Sequence, residues 1–373
     1  MYITWYRRQG DQQFSFEEQY LALKENRILI PKEEPPYPRT QTTVVPDKPP
    51  TWSVMLNMIT TMAPLVTSAE LQRQGGPYDN RYTRFAIPKR SGGYRQIAAP
   101  DPMLLTMQQD LVHWMQYKCK LLPHDAAFAY VPKRCAKHAI QVHQQSRWFL
   151  KLDIKDFFPS WTKEHVVSHL RELYPFAGVW TDLAAQGLEL ILDTCFLEGV
   201  LPQGSAASPF LSNVCMTKYD QRLTVALRDF DRHNFRYTRY ADDLLISCPY
   251  DFDKDKVIAK VREILPEFLV IKDSKTRYGS SSGSNWNLGL MLNKDQQITV
   301  GHKRKEKAKA IVHNLMRSPT FESRQEVQVI QGELAYIESI EPRYMQKLDT
   351  KYRTKFHCAG YKEILSIALK TFA

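Results

Sequence analysis

Hydrophobic spacing divides the chain beyond about residue 50 into short strands and amphipathic helices. Met55, Leu56, Ile59, Met62 and Leu65 approximate a helical stripe between Trp52 and Arg73, which Pro64 is expected to kink or end. Arg84 to Pro100 reads as two strands around a Ser91-Gly92-Gly93 turn. Met103, Leu104, Met107, Leu111, Trp114 and Met115 predict an amphipathic helix over 102–121. Phe149 to Ile154 is an apolar strand with an interior acid, Asp153. Helical spacing returns at Val166, Leu170 and Leu173, and again from Leu183 to Cys195. Ser208-Pro209 opens another helix, with proline in the first turn where its missing N–H costs nothing. Arg236–Tyr240 and Leu244–Ser247 are two strands joined by a tight Ala241-Asp242-Asp243 turn. Val257, Val261, Ile264 and Leu265 mark a helix over 256–268. The first 50 residues carry Pro31, Pro35, Pro36, Pro38, Pro46, Pro49 and Pro50 instead, and read as an extended arm.

Two adjacent carboxylates at the tip of a hydrophobic hairpin repel each other and cannot be buried unpaired. Asp153 is equally out of place in its apolar strand unless it faces a metal or a partner charge. A cation served by Asp153, Asp242 and Asp243 answers both problems, and magnesium, which takes carboxylate oxygens and substrate phosphates, is the natural candidate. For the acidic turn alone, an ordinary solvated hairpin is an equal alternative.

Composition narrows the partner. The 373 residues include 51 Lys and Arg against 40 acids, a net charge of +11, with a pI near 9.2. Such a balance favours a polyanion, with nucleic acid the best fit. Six cysteines without CxxC pairs argue against a disulfide framework or zinc ribbon and for a reducing cytosol. Cys135, His138 and His143 lack a fourth ligand at zinc spacing. No apolar run approaches the ~18 residues of a membrane span, and Met1 to Arg8 does not read as a signal peptide. A cytoplasmic protein is expected.

The order of the Asp153 strand, Leu201-Pro202-Gln203-Gly204-Ser205-Ala206-Ala207-Ser208-Pro209 and Tyr240-Ala241-Asp242-Asp243 resembles the reverse transcriptases, in particular the bacterial retron type. The resemblance runs from about Phe85 to Tyr352 and implies an α+β right-hand polymerase. Its expected parts are a Pro-rich arm (1–50), fingers (51–145), a palm (146–284), and a primer-grip hairpin with a short helical thumb (285–373). No ribonuclease H segment is expected after the thumb.

The resemblance also implies site residues. Asp153, Asp242 and Asp243 are the catalytic carboxylates and hold two Mg2+ ions, with the Ile154 carbonyl as a further ligand, while Asp156 is a helix N-cap or fold residue. Arg95 and then Lys89, on the fingers hairpin, meet the triphosphate, although a solvated basic hairpin is the alternative. Phe158 lies beneath the incoming sugar and excludes a 2′-hydroxyl, or else is a core residue like Phe157. Gln203 lies against the nucleotide, Gly204 allows close backbone approach to it, and Lys275, on a strand over 270–276, helps protonate pyrophosphate. Tyr240, Gly289 of the primer grip, and Lys303, Arg304 and Lys307 of the thumb contact nucleic acid; a solvated charged helix is the alternative for the last three.

Two positions depart from the retron pattern: Ala139 stands where an Asn is expected, and Asn287-Leu288-Gly289 where many have Val-Thr-Gly. The expected function is reverse transcription of a cognate structured noncoding RNA into small RNA-linked cDNA from dNTPs. The expected setting is bacterial antiphage defence with a separate effector protein. The alternatives are another defence-associated reverse transcriptase, or a nucleic-acid-binding scaffold that has lost catalysis; the latter predicts a decayed carboxylate set, whereas all three are present.

Overall fold

The computed structural model describes residues 52–73, 78–89, 92–176, 182–230, 234–280, 287–293 and 295–372. The expected Pro-rich arm lies outside them. In chain order the elements are α1 (Trp52–Arg73), β1 (Tyr82–Pro88), β2 (Tyr94–Pro100), α2 (Pro102–His113), α3 (Ala136–Val142) and β3 (Trp148–Asp153). There follow α4 (Lys163–Arg171), α5 (Asp182–Asp193), α6 (Ser208–Cys215), α7 (Thr217–Asp229), β4 (Arg236–Tyr240), β5 (Asp243–Cys248) and α8 (Lys254–Ile264). The chain continues through β6 (Arg277–Ser280), β7 (Met291–Leu292), β8 (Ile298–Thr299), α9 (His302–Arg317), α10 (Arg324–Ile340), α11 (Pro342–Phe356) and α12 (Tyr361–Thr371). Helices and antiparallel strands mix as the expected α+β class requires.

Two compact units form. Of the described residues, those within 52–134, 151–246 and 253–276 make up the first, and those within 135–150, 247–252 and 277–372 the second. The four-stranded sheet has the order β4-β5-β3-β6. Its acid-bearing ends, at Asp153 and Asp243, belong to the first unit.

In the first unit β1 and β2 pair antiparallel, with Ile87 opposite Arg95 and Pro88 opposite Tyr94. Ala69 of α1 shares a core with Tyr82, Ala98, Leu104 and Met107, so α1 braces this hairpin from behind. Helix α1 passes through Pro64 without ending, so of the two expected outcomes, a kink or an end, the end does not occur. Packing explains it: α1 lies against α5 so closely that a Cβ on Gly187 would come within 3.2 Å of Met62 and Val66. That interface outweighs one missing backbone hydrogen bond.

Two further expectations are corrected. Asp156 caps no helix: it sits at φ +46 in a turn, its carbonyl accepts from Ser160 N–H, and the next helix starts with Thr162 as cap, whose hydroxyl accepts from His165 N–H. Residues 270–276 form no strand. Ile271 makes a single antiparallel bridge with Ile154, after which the polar run Asp273–Lys275 turns as a 3-10 helix. Charged residues without apolar alternation give a strand no face to bury.

The second unit packs α9 to α12 around Val312, Leu315, Val327, Leu334, Ile337, Met345, Leu348 and Leu365. Ala139, at the departure from the retron pattern, is fully buried there. His143 is buried beside it and bonds Ser247 Oγ through Nδ1 at 2.6 Å.

Candidate active site

The acidic hairpin rests on a buried cation. Arg239 is fully buried and forks onto Asp220 of α7, with Nη2 2.7 Å from Oδ2 and Nε 2.9 Å from Oδ1. Its Nη1 donates to Asn213 Oδ1 of α6 and to the Ala241 carbonyl at the turn. Tyr237 donates its hydroxyl to the same Asp220. One guanidinium thus ties two helices to the turn, which needs that support because Ala241 sits at φ +58, a region disfavoured for residues with a Cβ.

Strand β3 meets the turn through its main chain. Ile154 N–H donates to the Asp242 carbonyl at 2.9 Å, which brings the backbones bearing Asp153 and Asp242 together. On the other side of the same residue, Lys155 N–H donates to Val270 and Lys272 N–H to the Asp153 carbonyl. That pairing delivers Lys275: its ammonium lies 2.6 Å from Asp153 Oδ2. Asp243 has its own cation, Lys151 Nζ at 3.0 Å. Burial pushes the Asp242 carboxyl above its ordinary pKa, and Asp243 and Asp153 push it further, against Lys275. Asp242 thus feels the charge of both other acids, while Lys275 and Lys151 pair with Asp153 and Asp243.

Among the described residues no three of His, Cys, Asp and Glu already form a metal cage. The same holds for Cys135, His138 and His143. The donor chemistry at the acidic turn nevertheless suits a hard divalent cation, because three clustered carboxylates outnumber the two lysines that pair with them and such an ion takes up the excess negative charge.

Phe158 is half-buried, its ring 5.5 Å from that of Phe157 and 6.2 Å from that of Tyr130. Phe157 is a core residue, buried and 5.9 Å from the Arg239 guanidinium. Tyr130 stands at φ +57 with 58% of its surface exposed. Its segment is fastened to β4 by Phe128 N–H to the Arg239 carbonyl and Arg239 N–H to the Ala126 carbonyl. Burial raises the Tyr130 phenol, Asp242 raises it further and Arg95 lowers it, so the ring lies within electrostatic reach of both.

The Pro-Gln-Gly loop docks on the β1–β2 hairpin. Ala98 N–H donates to the Gln203 carbonyl at 2.7 Å. Gly204 has φ +121, and a Cβ there would stand 2.6 Å from the Ala98 carbonyl oxygen. The close approach that requires glycine is therefore to β2. Gln108, fully buried, accepts from Ser205 Oγ and Ala206 N–H and donates to Tyr82 Oη and the Thr194 carbonyl. Lys89 closes the hairpin turn through its backbone with Gly92 and Gly93, and both its side chain and that of Arg95 are exposed. Tyr240 is half-buried at the end of β4.

The reverse transcriptase (RNA-dependent DNA polymerase) family matches residues 87–304, more than half the chain. The chain belongs to that family. Within it, this reverse transcriptase is of the retron type. The Escherichia coli retron Ec73 reverse transcriptase is 30% identical over 282 residues, 72% of this chain and 86% of that one. The Escherichia coli retron Ec83 reverse transcriptase is 28% identical over 283 residues, 73% of this chain and 86% of that one. Among solved structures, a telomerase from Candida albicans in complex with a fragment of telomeric RNA superposes with a TM-score of 0.43 at 13% identity, over 76% of this chain and 54% of that one.

The second unit of the reverse transcriptase holds the remaining expected residues. Asn287 and Leu290 exchange backbone hydrogen bonds around a Leu288-Gly289 turn with φ +55 and +76. Arg304 donates to the Gly289 carbonyl at 3.1 Å and lies over the Tyr336 ring. Lys307 pairs with Glu333 at 2.7 Å, Lys305 with Glu341 and Lys309 with Glu306, whereas Lys303 is exposed.

Sequence reasoning missed Lys151, Gln108, Arg239 and Tyr130. Lys151 could have been found, since it shares a strand face with Asp153 two residues on. So could Gln108, a polar residue four positions after Leu104 on the apolar stripe. Tyr130 gives no such signal; its place depends on a backbone bridge to β4 more than a hundred residues later.

Proposed function

We propose that this RNA-directed DNA polymerase copies a cognate structured noncoding RNA into short RNA-linked DNA. In this reading it acts in the bacterial cytoplasm in antiphage defence, with a separate effector protein. The observation that carries the chemistry is the convergence of Asp153, Asp242 and Asp243 across the Ile154–Asp242 backbone bond, each within reach of a lysine. The retron relatives support the choice of template and product.

In this reading Asp153, Asp242 and Asp243, with the Ile154 carbonyl, hold two Mg2+ ions. Bound magnesium supplies activation of the primer hydroxyl and neutralisation of charge on the leaving pyrophosphate. The primer 3′-oxygen bonds to the α-phosphorus of a dNTP, the bond to pyrophosphate breaks, and the hydroxyl proton leaves to solvent. Lys275, released from Asp153 as the site fills, is placed to protonate pyrophosphate. Arg95 and Lys89 supply fixed cations for the β- and γ-phosphates. Phe158, with Tyr130 at its edge, forms an apolar floor under the sugar, and Gln203 and Gly204 border the nucleotide. Tyr240, and in the second unit Gly289, Lys303, Arg304 and Lys307, serve the primer and template. Arg304 does so by holding the Gly289 turn, and Lys307 after exchanging Glu333 for a phosphate.

Sequencing the nucleic acid that copurifies with the protein tests the product, with the Asp153→Asn variant as the comparison. A short DNA joined to a structured RNA, absent from the variant, is expected. Long repetitive cDNA points to another defence-associated reverse transcriptase, and DNA of unchanged amount in the variant overturns the carboxylate assignment.

A further inference from the structure

The buried residues of α2 are Leu104, Met107, Leu111 and one amide, Gln108. An amide has two N–H donors and two acceptor lone pairs, and Gln108 uses all four. Its Nε2 donates to the Thr194 carbonyl at 2.7 Å and to Tyr82 Oη at 2.8 Å. Its Oε1 accepts from Ser205 Oγ at 2.9 Å and from Ala206 N–H at 3.1 Å. The Thr194 carbonyl can only accept and the Ala206 N–H can only donate. The amide therefore cannot be flipped, or replaced by a carboxyl group, without losing at least one of the four bonds. One side chain thus joins β1, the residue after α5 and the loop that follows Gln203 and Gly204.

Helix α2 does not need this residue to fold. An apolar side chain at 108 would continue the stripe, whereas a buried amide costs free energy unless its polar atoms are paired. What the amide adds is a hold on the loop. Gln203 is already pinned to β2, its carbonyl accepting from Ala98 N–H. Gly204, at φ +121, leaves no room for a Cβ against the Ala98 carbonyl. Gln108 takes the next two residues. Ser205 Oγ, while donating to Gln108, accepts from Ala207 N–H at 3.1 Å and so extends the hold to the residue that precedes α6. The whole stretch from Gln203 to Ala207 is fixed in this way against the hairpin that bears Arg95, three residues before Ala98.

We infer that Gln108 is a positioning residue for the incoming nucleotide. It touches no part of the nucleotide. It keeps the loop bearing Gln203 in register with the hairpin bearing Arg95, so that the groups that meet the nucleoside and the triphosphate in the proposed function stand on one prebuilt frame. Without Gln108 the loop must be ordered afresh by each nucleotide that binds, and that cost falls on binding more than on the bond-making step. The inference rests on the reading that Gln203 and Arg95 meet the nucleotide, whereas the hold on the loop does not depend on it.

Addition of a single dGTP to a DNA primer annealed on an RNA template, by the full-length protein, gives KM and kcat separately. Gln108→Met, similar in volume but unable to supply the four bonds, should raise KM for dGTP about tenfold or more, with a smaller change in kcat and little change in KM for the primer–template. Ser205→Ala removes one arm without disturbing α2 and should shift KM the same way by less. The double variant should be no worse than Gln108→Met, because both act through one network. Leu104→Ala, a cavity in the same core, should lower the Tm without raising KM. A parental KM in Gln108→Met overturns the proposal, and so does an equal rise in Leu104→Ala. If Gln108→Met does not fold, Ser205→Ala decides by the same criterion. Hydrogen exchange without nucleotide reads the hold directly: the amides of 205–207 should exchange faster in Gln108→Met than in the parent or Leu104→Ala, and parental exchange there means that Gln108 does not fix the loop. Gln203→Ala locates a failure. A raised KM in Gln203→Ala beside a parental KM in Gln108→Met fails Gln108 alone, whereas parental KM in both, with exchange still faster in Gln108→Met, fails the nucleotide reading of the loop.

Discussion

The Lys275 ammonium lies 2.6 Å from Oδ2 of Asp153, 122 residues earlier in the chain, and only the lysine of the pair is substantially exposed. It occupies the charge position that a divalent ion would claim. Lysine and metal therefore compete for Asp153 in the proposed function. Lys275→Met should lower the Mg2+ concentration that gives half-maximal primer extension. The shift should reach at most about fivefold, since a half-exposed pair contributes up to ~1 kcal/mol. The same variant should slow synthesis at saturating Mg2+ if the amine also protonates pyrophosphate. A Mg2+ titration identical to the parent's in both midpoint and plateau would remove Lys275 from the site.

Asp242 predicts a trade between stability and activity. Its folded pKa is raised above the ordinary aspartate value, by burial first and by Asp243 and Asp153 next. The native state therefore holds the proton more tightly than the unfolded chain does. This contribution to stability is fully present below about 3.9 and is lost as pH rises through the elevated folded value. At neutral pH and without metal, ionised Asp242 strains the fold. Asp242→Asn should accordingly raise the Tm in EDTA while abolishing primer extension. Added Mg2+ should raise the Tm of the parent and not of the variant. A variant that unfolds at a lower temperature than the parent in EDTA contradicts this account.

Phe158 and Phe157 allow a paired test, because adjacent rings have different surroundings. Phe158→Ala should raise ribonucleotide incorporation relative to deoxynucleotide by about tenfold to a hundredfold, as an unpaired buried hydroxyl costs roughly 1 to 3 kcal/mol. Phe157→Ala should destabilise by about 3 to 5 kcal/mol without altering sugar preference. Competition between dGTP and rGTP in primer extension reads the first, and urea unfolding the second. Unchanged sugar preference in an active Phe158→Ala protein makes Phe158 a packing residue.

Removing Arg239 leaves Asp220 buried and uncompensated. Arg239→Met should destabilise by about 3 to 5 kcal/mol and free the Ala241 turn. The double variant Arg239→Met/Asp220→Leu should recover much of the stability but not the synthesis, since the turn still lacks its donor. Recovery of both in the double variant would mean that the turn does not need the guanidinium.

These residues also mark what could be read in advance. The Tyr-Ala-Asp-Asp hairpin and Asp153 were legible because acids interrupt strongly patterned apolar strands, and such interruptions are visible locally. Arg239 interrupts its strand just as plainly, but its meaning depends on Asp220 across a helix and a loop. The fate of Pro64 was not legible, because an interface with Gly187, 123 positions later, decides it (187 − 64). The basic run of α9 could be seen, whereas the glutamates that answer it come from α10 and its end. Local pattern reveals the exceptional residue; its partner is set by topology.

The hydrogen bond from Ile154 N–H to the Asp242 carbonyl is made entirely by main chain. No substitution among the coded residues other than proline at 154 can delete it. Every carboxamide variant of the site thus inherits the parent's spacing between the two acid-bearing backbones, and its kinetics report ligand chemistry alone. The spacing itself is open to a different instrument: an ester in place of the amide before Ile154, introduced by semisynthesis, removes that one donor and leaves all twenty side-chain types untouched.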